Sequence, residues 1–88
     1  MVHELKCWPD HFQAIASKAK TAEVRMNDRN FQVYDTLELW EYLPTIKEYT
    51  GRRYTATITH ILHGGQFGIQ PGFCVISFQN GKLTRKSS

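Results

Sequence analysis

Apolar and polar side chains alternate along several short segments of this chain, and that alternation is typical of half-buried β-strands. A proline follows the first of these segments, and apolar residues then recur at helical spacing in PDHFQAIASK (9–18). The sequence therefore predicts a strand, a short helix and about four further strands. The predicted strands are VHELKC (2–7), TAEVRM (21–26), TLELWEY (36–42), RRYTATITHIL (52–62) and FCVISF (73–78).

The alternation also assigns side chains to faces, because successive residues of a strand point to opposite sides of the sheet. The polar face of the second predicted strand consists of Thr21, Glu23 and Arg25. Its apolar face, which we expect to point into the protein interior, consists of Ala22, Val24 and Met26. The same reasoning places His60 on the apolar face of the fourth predicted strand, as a hydrogen-bonded core histidine.

Segments rich in glycine, proline and polar residues separate the predicted strands. LPTIKEYTGR (43–52) is predicted to be a loop, as is the glycine-rich HGGQFGIQPG (63–72). Short strands with alternating faces predict an α+β, β-rich fold: a small, closed or nearly closed β-barrel with the one N-terminal helix packed against it. We expect a single domain over residues 1–80 and a flexible basic tail at residues 81–88.

Composition narrows the class of protein further. The 88 residues are 41% hydrophobic, which is typical of one globular domain and not of a disordered tail. The formal net charge of +3 permits contact with a polyanion without requiring it. No apolar run is long enough to span a bilayer, and Cys7 and Cys74 are expected to be reduced thiols. We therefore expect a cytoplasmic monomer with no membrane contact.

Charged residues concentrate between Lys18 and Arg29, and this region is the first candidate site. Arginine forks bind phosphate in a bidentate way, lysines add positive charge, and the threonine and the glutamate offer polar recognition. Lys6 joins the cluster if the first two strands are neighbours. The candidate residues are Lys6, Lys20, Thr21, Glu23, Arg25, Asp28 and Arg29. The alternative is an ordinary solvated strand face with weak ion pairs, in which Asp28 only caps the turn and pairs with Arg29.

The glycine-rich loop is the second candidate. Gly65 would let the backbone approach a ligand, and Phe67 would stack on a base. In the alternative, Phe67 folds back as a lid on the barrel. The glycine spacing matches neither a P-loop nor a dinucleotide fingerprint, and His60 and His63 would lie on opposite faces of a strand. We therefore expect no cofactor and no metal.

Three blocks occur together in an order that resembles the small, phage-associated branch of the ASCH domains, within the PUA-like superfamily. These blocks are HELKCWPDHFQAI (3–15), KTAEVRMNDRNFQVYD (20–35) and ILHGGQFGIQPGFCVISF (61–78). The resemblance implies a PUA-like barrel with a cleft beside the first helix, and an RNA or nucleotide-like ligand. The family pattern has glycine where this chain has Lys18 and Tyr34, so both turns are expected to be altered.

Some ASCH relatives are amidohydrolases of N4-acetylcytidine nucleosides, and the resemblance implies a catalytic role for Lys20 if this chain shares that activity. Glu23 stands where those enzymes have a catalytic threonine, and no segment supplies their later glutamate. The first expectation is therefore an RNA- or nucleotide-binding module with no catalysis. The alternatives are a small amidohydrolase of modified nucleosides and a phage accessory domain that binds another protein.

Overall fold

The computed structural model describes residues 1–85 of the chain. The elements are β1 (Val2–Cys7), α1 (Pro9–Ala16), β2 (Ala22–Met26), β3 (Thr36–Leu43), β4 (Glu48–His63) and β5 (Phe73–Arg85). The strands form one sheet in the order β1-β3-β4-β5-β2. β1 runs parallel to β3, and the other neighbours are antiparallel. The sheet curls into a half-barrel, so the predicted β-rich α+β fold with one short helix is confirmed at this level.

The hydrophobic core fills the concave side of the sheet. Alternate residues of β1, β3, β4 and β5 point inward and meet Phe12 and Ile15, which α1 buries completely. Burying each of these two side chains stabilises the fold by about 1.5 to 3 kcal/mol. The helix therefore covers the open side of the curled sheet, as its spacing of apolar residues predicts.

The half-barrel is open because β1 and β2 are both edge strands. In the part of the chain that the structure describes, no backbone ladder joins them. A closed barrel removes both edges by pairing them, but β2 is only five residues long and, within residues 1–85, pairs only with β5. The gap between the two edges is the feature that positions the candidate site.

The hairpin of β3 and β4 is longer than the sequence predicts. β3 continues to Leu43 and β4 begins at Glu48, so only residues 44–47 of the predicted loop form the turn. β5 likewise continues to Arg85, which pairs with Arg52. Residues 81–85 are therefore strand instead of a flexible tail, because the long β4 offers a partner for their backbone; residues 86–88 of the predicted tail lie outside the described residues.

The placement of His60 in the core is wrong. Tyr54, Ala56 and Ile58 point inward as predicted, but the pairing of β4 with β5 shifts register between Ile58 and His60. A β-bulge adds one residue and turns the following side chains to the opposite face. His60 is consequently exposed, and Ile61 packs against the core in its place.

The turns at the two expected glycine positions keep a conformation that glycine favours. Lys18 has a φ of 67° and Tyr34 a φ of 76°, both in the left-handed region. Both non-glycine residues therefore adopt the left-handed conformation and accept its steric cost, and the expectation that they alter these turns stays a prediction. Lys18 ends α1 by donating its backbone N–H to the Ile15 carbonyl.

Candidate functional site

β2 turns its polar face inward, and this reverses the predicted orientation of the strand. Glu23 is only 8% exposed, whereas Val24 and Met26 are 61% and 55% exposed. The register with β5 explains the reversal: Glu23 lies opposite the buried Ile76, and Arg25 opposite the buried Cys74. Because cross-strand partners share a face, this register sends the charged residues towards the interior. The alternative of a solvated strand face is therefore wrong for Glu23.

Three side chains surround the Glu23 carboxylate. The Arg25 Nε donates a hydrogen bond of 2.9 Å to Oε2, and the Lys20 Nζ lies 4.0 Å from Oε1. The Cys7 thiol contacts Oε1 at 3.9 Å. A buried carboxylate is costly unless it is paired and hydrogen-bonded, and the two cations meet that requirement.

Arg25 also joins the two edge strands. While its Nε binds Glu23, its Nη2 donates to the backbone carbonyl of Lys6 on β1. One guanidinium therefore bridges the gap where a closed barrel would have a backbone ladder. Arg25 consequently has a structural role in addition to its positive charge.

The exit of α1 positions Lys20. The backbone N–H of Lys20 donates to the Ala14 carbonyl, which turns the chain back along the helix. The Lys20 Nζ then lies 3.1 Å from the His11 Nδ1. Because an ammonium group only donates, Nδ1 accepts this hydrogen bond, and a neutral His11 carries its proton on Nε2. Lys20 therefore links the helix to the Glu23 carboxylate.

These residues surround a cleft of about 610 Å³ between the edge strands, which we call the edge cleft. Its size lies within the range of small-molecule sites. Three cationic residues and one carboxylate contribute to its lining, and the exposed Trp8 stands at its rim. The lining residues are Lys6, Cys7, Trp8, His11, Lys20, Ala22, Glu23, Val24, Arg25, Met26, Phe73 and Val75.

The structure brings Lys6, Lys20, Glu23 and Arg25 together in the edge cleft. Thr21 lines a separate cleft of about 370 Å³ on the other side of Lys20.

Arg29 lines a third cleft, of about 340 Å³, which shares Lys6 and Arg25 with the edge cleft. Asp28 is exposed and forms no ion pair with Arg29, so that alternative is wrong.

Residues of the glycine-rich loop stay outside the edge cleft. Gly65 and Phe67 are both exposed and do not line it. Phe67 has a φ of 51° and points away from the core, so its alternative role as a barrel lid is wrong. Its proposed stacking role remains a prediction.

Sequence reasoning missed Cys7 and His11 as lining residues. His11 follows Trp8 by three residues, and that helical spacing places both on one face, which was the available signal. Burial, followed by the charge of Glu23, raises the pKa of Cys7 to about 12. Cys7 is therefore a neutral thiol at physiological pH and not a nucleophile.

Residues 1–85 contain no cluster of three or more His, Cys, Asp or Glu side chains arranged to hold a metal ion. None of the helices among the described residues has the length and apolar character needed to cross a membrane.

Comparison with known proteins places the chain in a family. Over 60 residues, 68% of this chain, it is 37% identical to the "uncharacterized 12.9 kDa protein in GpA 3'region" of Escherichia phage P2. The chain spans about half the length of that curated relative, since the match covers 53% of it. Residues 2–78 match the family described as a domain of unknown function, DUF3850. This chain, similar to a small phage protein, therefore belongs to the DUF3850 family.

Proposed function

We propose that this chain binds RNA or a nucleotide-like ligand in the edge cleft. The observation that carries the proposal is the excess of positive charge there. Lys6, Lys20 and Arg25 line the cleft, and its one carboxylate, Glu23, is already paired. A concave site lined by one sign of charge concentrates ligands of the opposite sign.

The lining residues divide the work of recognition. Lys6 and Lys20 act as point charges towards phosphate, whereas Arg25 is held by Glu23 and the Lys6 carbonyl and mainly shapes the site. The exposed Trp8 at the rim offers a ring face on which a base stacks. The Nε2–H of His11 is a further donor for a phosphate or carbonyl oxygen.

We infer in addition that the domain is of the ASCH type within the PUA-like superfamily. The support is architectural: a single short helix packs against a curled sheet, and a cleft opens between β1, α1 and β2. The sequence blocks that resemble that family contribute most of the lining residues. A solved structure whose strand order departs from that of PUA-like domains would contradict this assignment.

Fluorescence anisotropy with a labelled single-stranded RNA tests the binding proposal. Lys6→Gln and Lys20→Gln each remove one charge from the cleft, and Lys47→Gln removes one charge from the β3–β4 turn, outside the edge cleft, as the matched control. If each cleft lysine contacts a phosphate, each cleft variant lowers the salt-dependence slope by about 0.7 while the control leaves it unchanged. Absence of RNA and nucleotide binding at low salt, or an equal effect of Lys47→Gln, would refute the proposal.

One observation favours a second candidate, hydrolysis of acylated nucleosides. The Lys20 Nζ lies between the buried Glu23 carboxylate and His11, at 4.0 Å and 3.1 Å, which resembles an acid–base arrangement. Glu23 would take the place of the threonine that the related amidohydrolases use. Incubation of the wild type and Lys20→Gln with N4-acetylcytidine decides this: turnover that depends on Lys20 establishes an enzyme, and no turnover leaves the binding module.

A further inference from the structure

We propose that a bound nucleic acid strand continues from the edge cleft onto the convex face of the sheet, so that the preferred ligand is an unpaired oligonucleotide and not a mononucleotide. This inference rests on the proposed function of the cleft. The surface that would carry the continuation is formed by Lys6, Arg29, Trp40, Tyr42, Tyr49 and Arg53, and we call it the outer track.

Continuity between the two surfaces is visible in their shared walls. Lys6 and Arg25 line both the edge cleft and the 340 Å³ cleft next to it, which Arg29, Trp40 and Tyr49 also line. A nucleic acid strand that leaves the edge cleft past Lys6 therefore enters the second cleft directly. The distance that it crosses is short, because neighbouring β-strands lie about 4.8 Å apart.

The register of three strands sets cations beside aromatic rings on this face. Lys6 of β1 pairs with Trp40 of β3, and Trp40 pairs with Arg53 of β4. The Arg53 guanidinium lies 3.7 Å from the Trp40 ring centroid, and the Lys6 Nζ lies 4.4 Å from the Tyr42 ring centroid. Interleaved cations and rings suit a nucleic acid strand, since phosphates and bases alternate along it.

The rings themselves form a connected group. The centroid of Tyr49 lies 5.6 Å from that of Trp40 and 5.0 Å from that of Tyr42, both edge to face. Tyr49 is 48% exposed, so part of its ring is available for contact with a base. A guanidinium stacked on an aromatic ring also offers its outer plane to a base.

The positive charges of the outer track favour a nucleic acid over a protein as its partner. Arg29 and Lys6 form no ion pair within residues 1–85, so no carboxylate there neutralises either charge. Two carboxylates also lie on this face. Glu4 lines the 340 Å³ cleft, and Glu38 accepts a hydrogen bond of 2.7 Å from the Trp40 Nε1 and lies 3.7 Å from the Arg53 guanidinium. Glu38 is thus committed to holding the ring and the guanidinium in place.

Binding of oligouridylates of one to twelve nucleotides tests the proposal, with uridine monophosphate as the shortest probe. Tyr49→Ser removes a ring of the outer track, and Tyr34→Ser removes a tyrosine that is 84% exposed outside it. We expect wild-type affinity to rise with length beyond the first nucleotides. Tyr49→Ser should lower affinity for the twelve-nucleotide RNA about tenfold and leave affinity for the mononucleotide unchanged, while Tyr34→Ser changes neither.

Arg29→Gln gives a second variant that breaks no ion pair within residues 1–85, and it should lower affinity for the long RNA alone. If Tyr49→Ser and Arg29→Gln both bind the long RNA like the wild type while Lys20→Gln binds it weakly, the outer track is refuted and the cleft function stands. If Tyr49→Ser lowers the affinity for the mononucleotide as much as the affinity for the long RNA, the outer track is also refuted. If the wild type binds neither, the proposed function itself fails.

Discussion

Glu23 is buried next to Arg25, and a double-mutant cycle between them measures how far the fold depends on this pair. Arg25→Met keeps the aliphatic length of the side chain and removes its charge. It leaves the carboxylate with Lys20 at 4.0 Å and with the weak contact of the Cys7 thiol. It also removes the bridge from β2 to the Lys6 carbonyl on β1.

The structure sets the size of the effect. Removing one partner of a buried ion pair costs about 3 to 5 kcal/mol. Lys20 remains beside Glu23, and the Arg25 side chain is 24% exposed, so we expect the lower end, about 3 kcal/mol. For a domain of this size that corresponds to a fall in Tm of roughly 12 to 24 °C.

Neutralising the carboxylate should recover part of this loss. Glu23→Gln alone should cost about 1 kcal/mol, because the amide oxygen still accepts from Arg25. The double variant should cost about 2 kcal/mol, since no buried carboxylate is then left without its guanidinium partner, and the coupling is about 2 kcal/mol. Urea unfolding followed by circular dichroism measures all three variants.

Arg53→Met is the matched control, because its partner Glu38 is 3.7 Å away and both side chains are about one-quarter exposed. That variant should cost about 1 kcal/mol or less. The reasoning is refuted if the double variant of Glu23 and Arg25 is as unstable as the sum of the two single variants.

Three further predictions follow from other parts of the fold. Lys18→Gly and Tyr34→Gly should each raise stability by about 0.5 to 1 kcal/mol, because the left-handed strain that glycine relieves exceeds the extra entropy that glycine loses on folding; a lower Tm in thermal unfolding would contradict this. The hydrogen bond from His3 holds the pKa of Asp35 below its usual range. The ionised Asp35 therefore stabilises the fold above the pKa that it has in the unfolded chain, and this stabilisation is lost as the pH falls through its pKa in the folded protein. Asp35→Asn should accordingly reduce the fall of the unfolding free energy at acid pH. Cys7 should resist a thiol reagent at pH 8 in the native protein and react once urea unfolds it, and rapid native labelling at Cys7 would be the contrary result.

The open edge of the half-barrel connects these predictions to the proposed function. The same Arg25 that stabilises the seam between β1 and β2 also forms the wall shared by the edge cleft and the neighbouring cleft. A closed ladder between these strands would occupy the space where the ligand is proposed to bind. The substitutions at Lys6, Lys20 and Arg29 avoid this seam contact, which is why they serve as binding tests.

Local pattern alone determined the elements and much of the composition of the site. Alternation predicted all five strands, helical spacing predicted α1, and the charge run predicted that Lys20, Glu23 and Arg25 lie close together. Burial of Phe12 and Ile15 also followed from spacing, because a helix covering a sheet must turn its apolar stripe towards it.

Tertiary structure decided which way each strand faces and where the sheet ends. A strand with two-residue periodicity looks the same from either side, so only the register with β5 turned Glu23 inward and left Val24 exposed. The bulge before His60 and the pairing of residues 81–85 with β4 likewise depend on contacts between distant segments. The cleft itself arises because β1 and β2, which lie at opposite edges of the sheet order, meet only when the sheet curls.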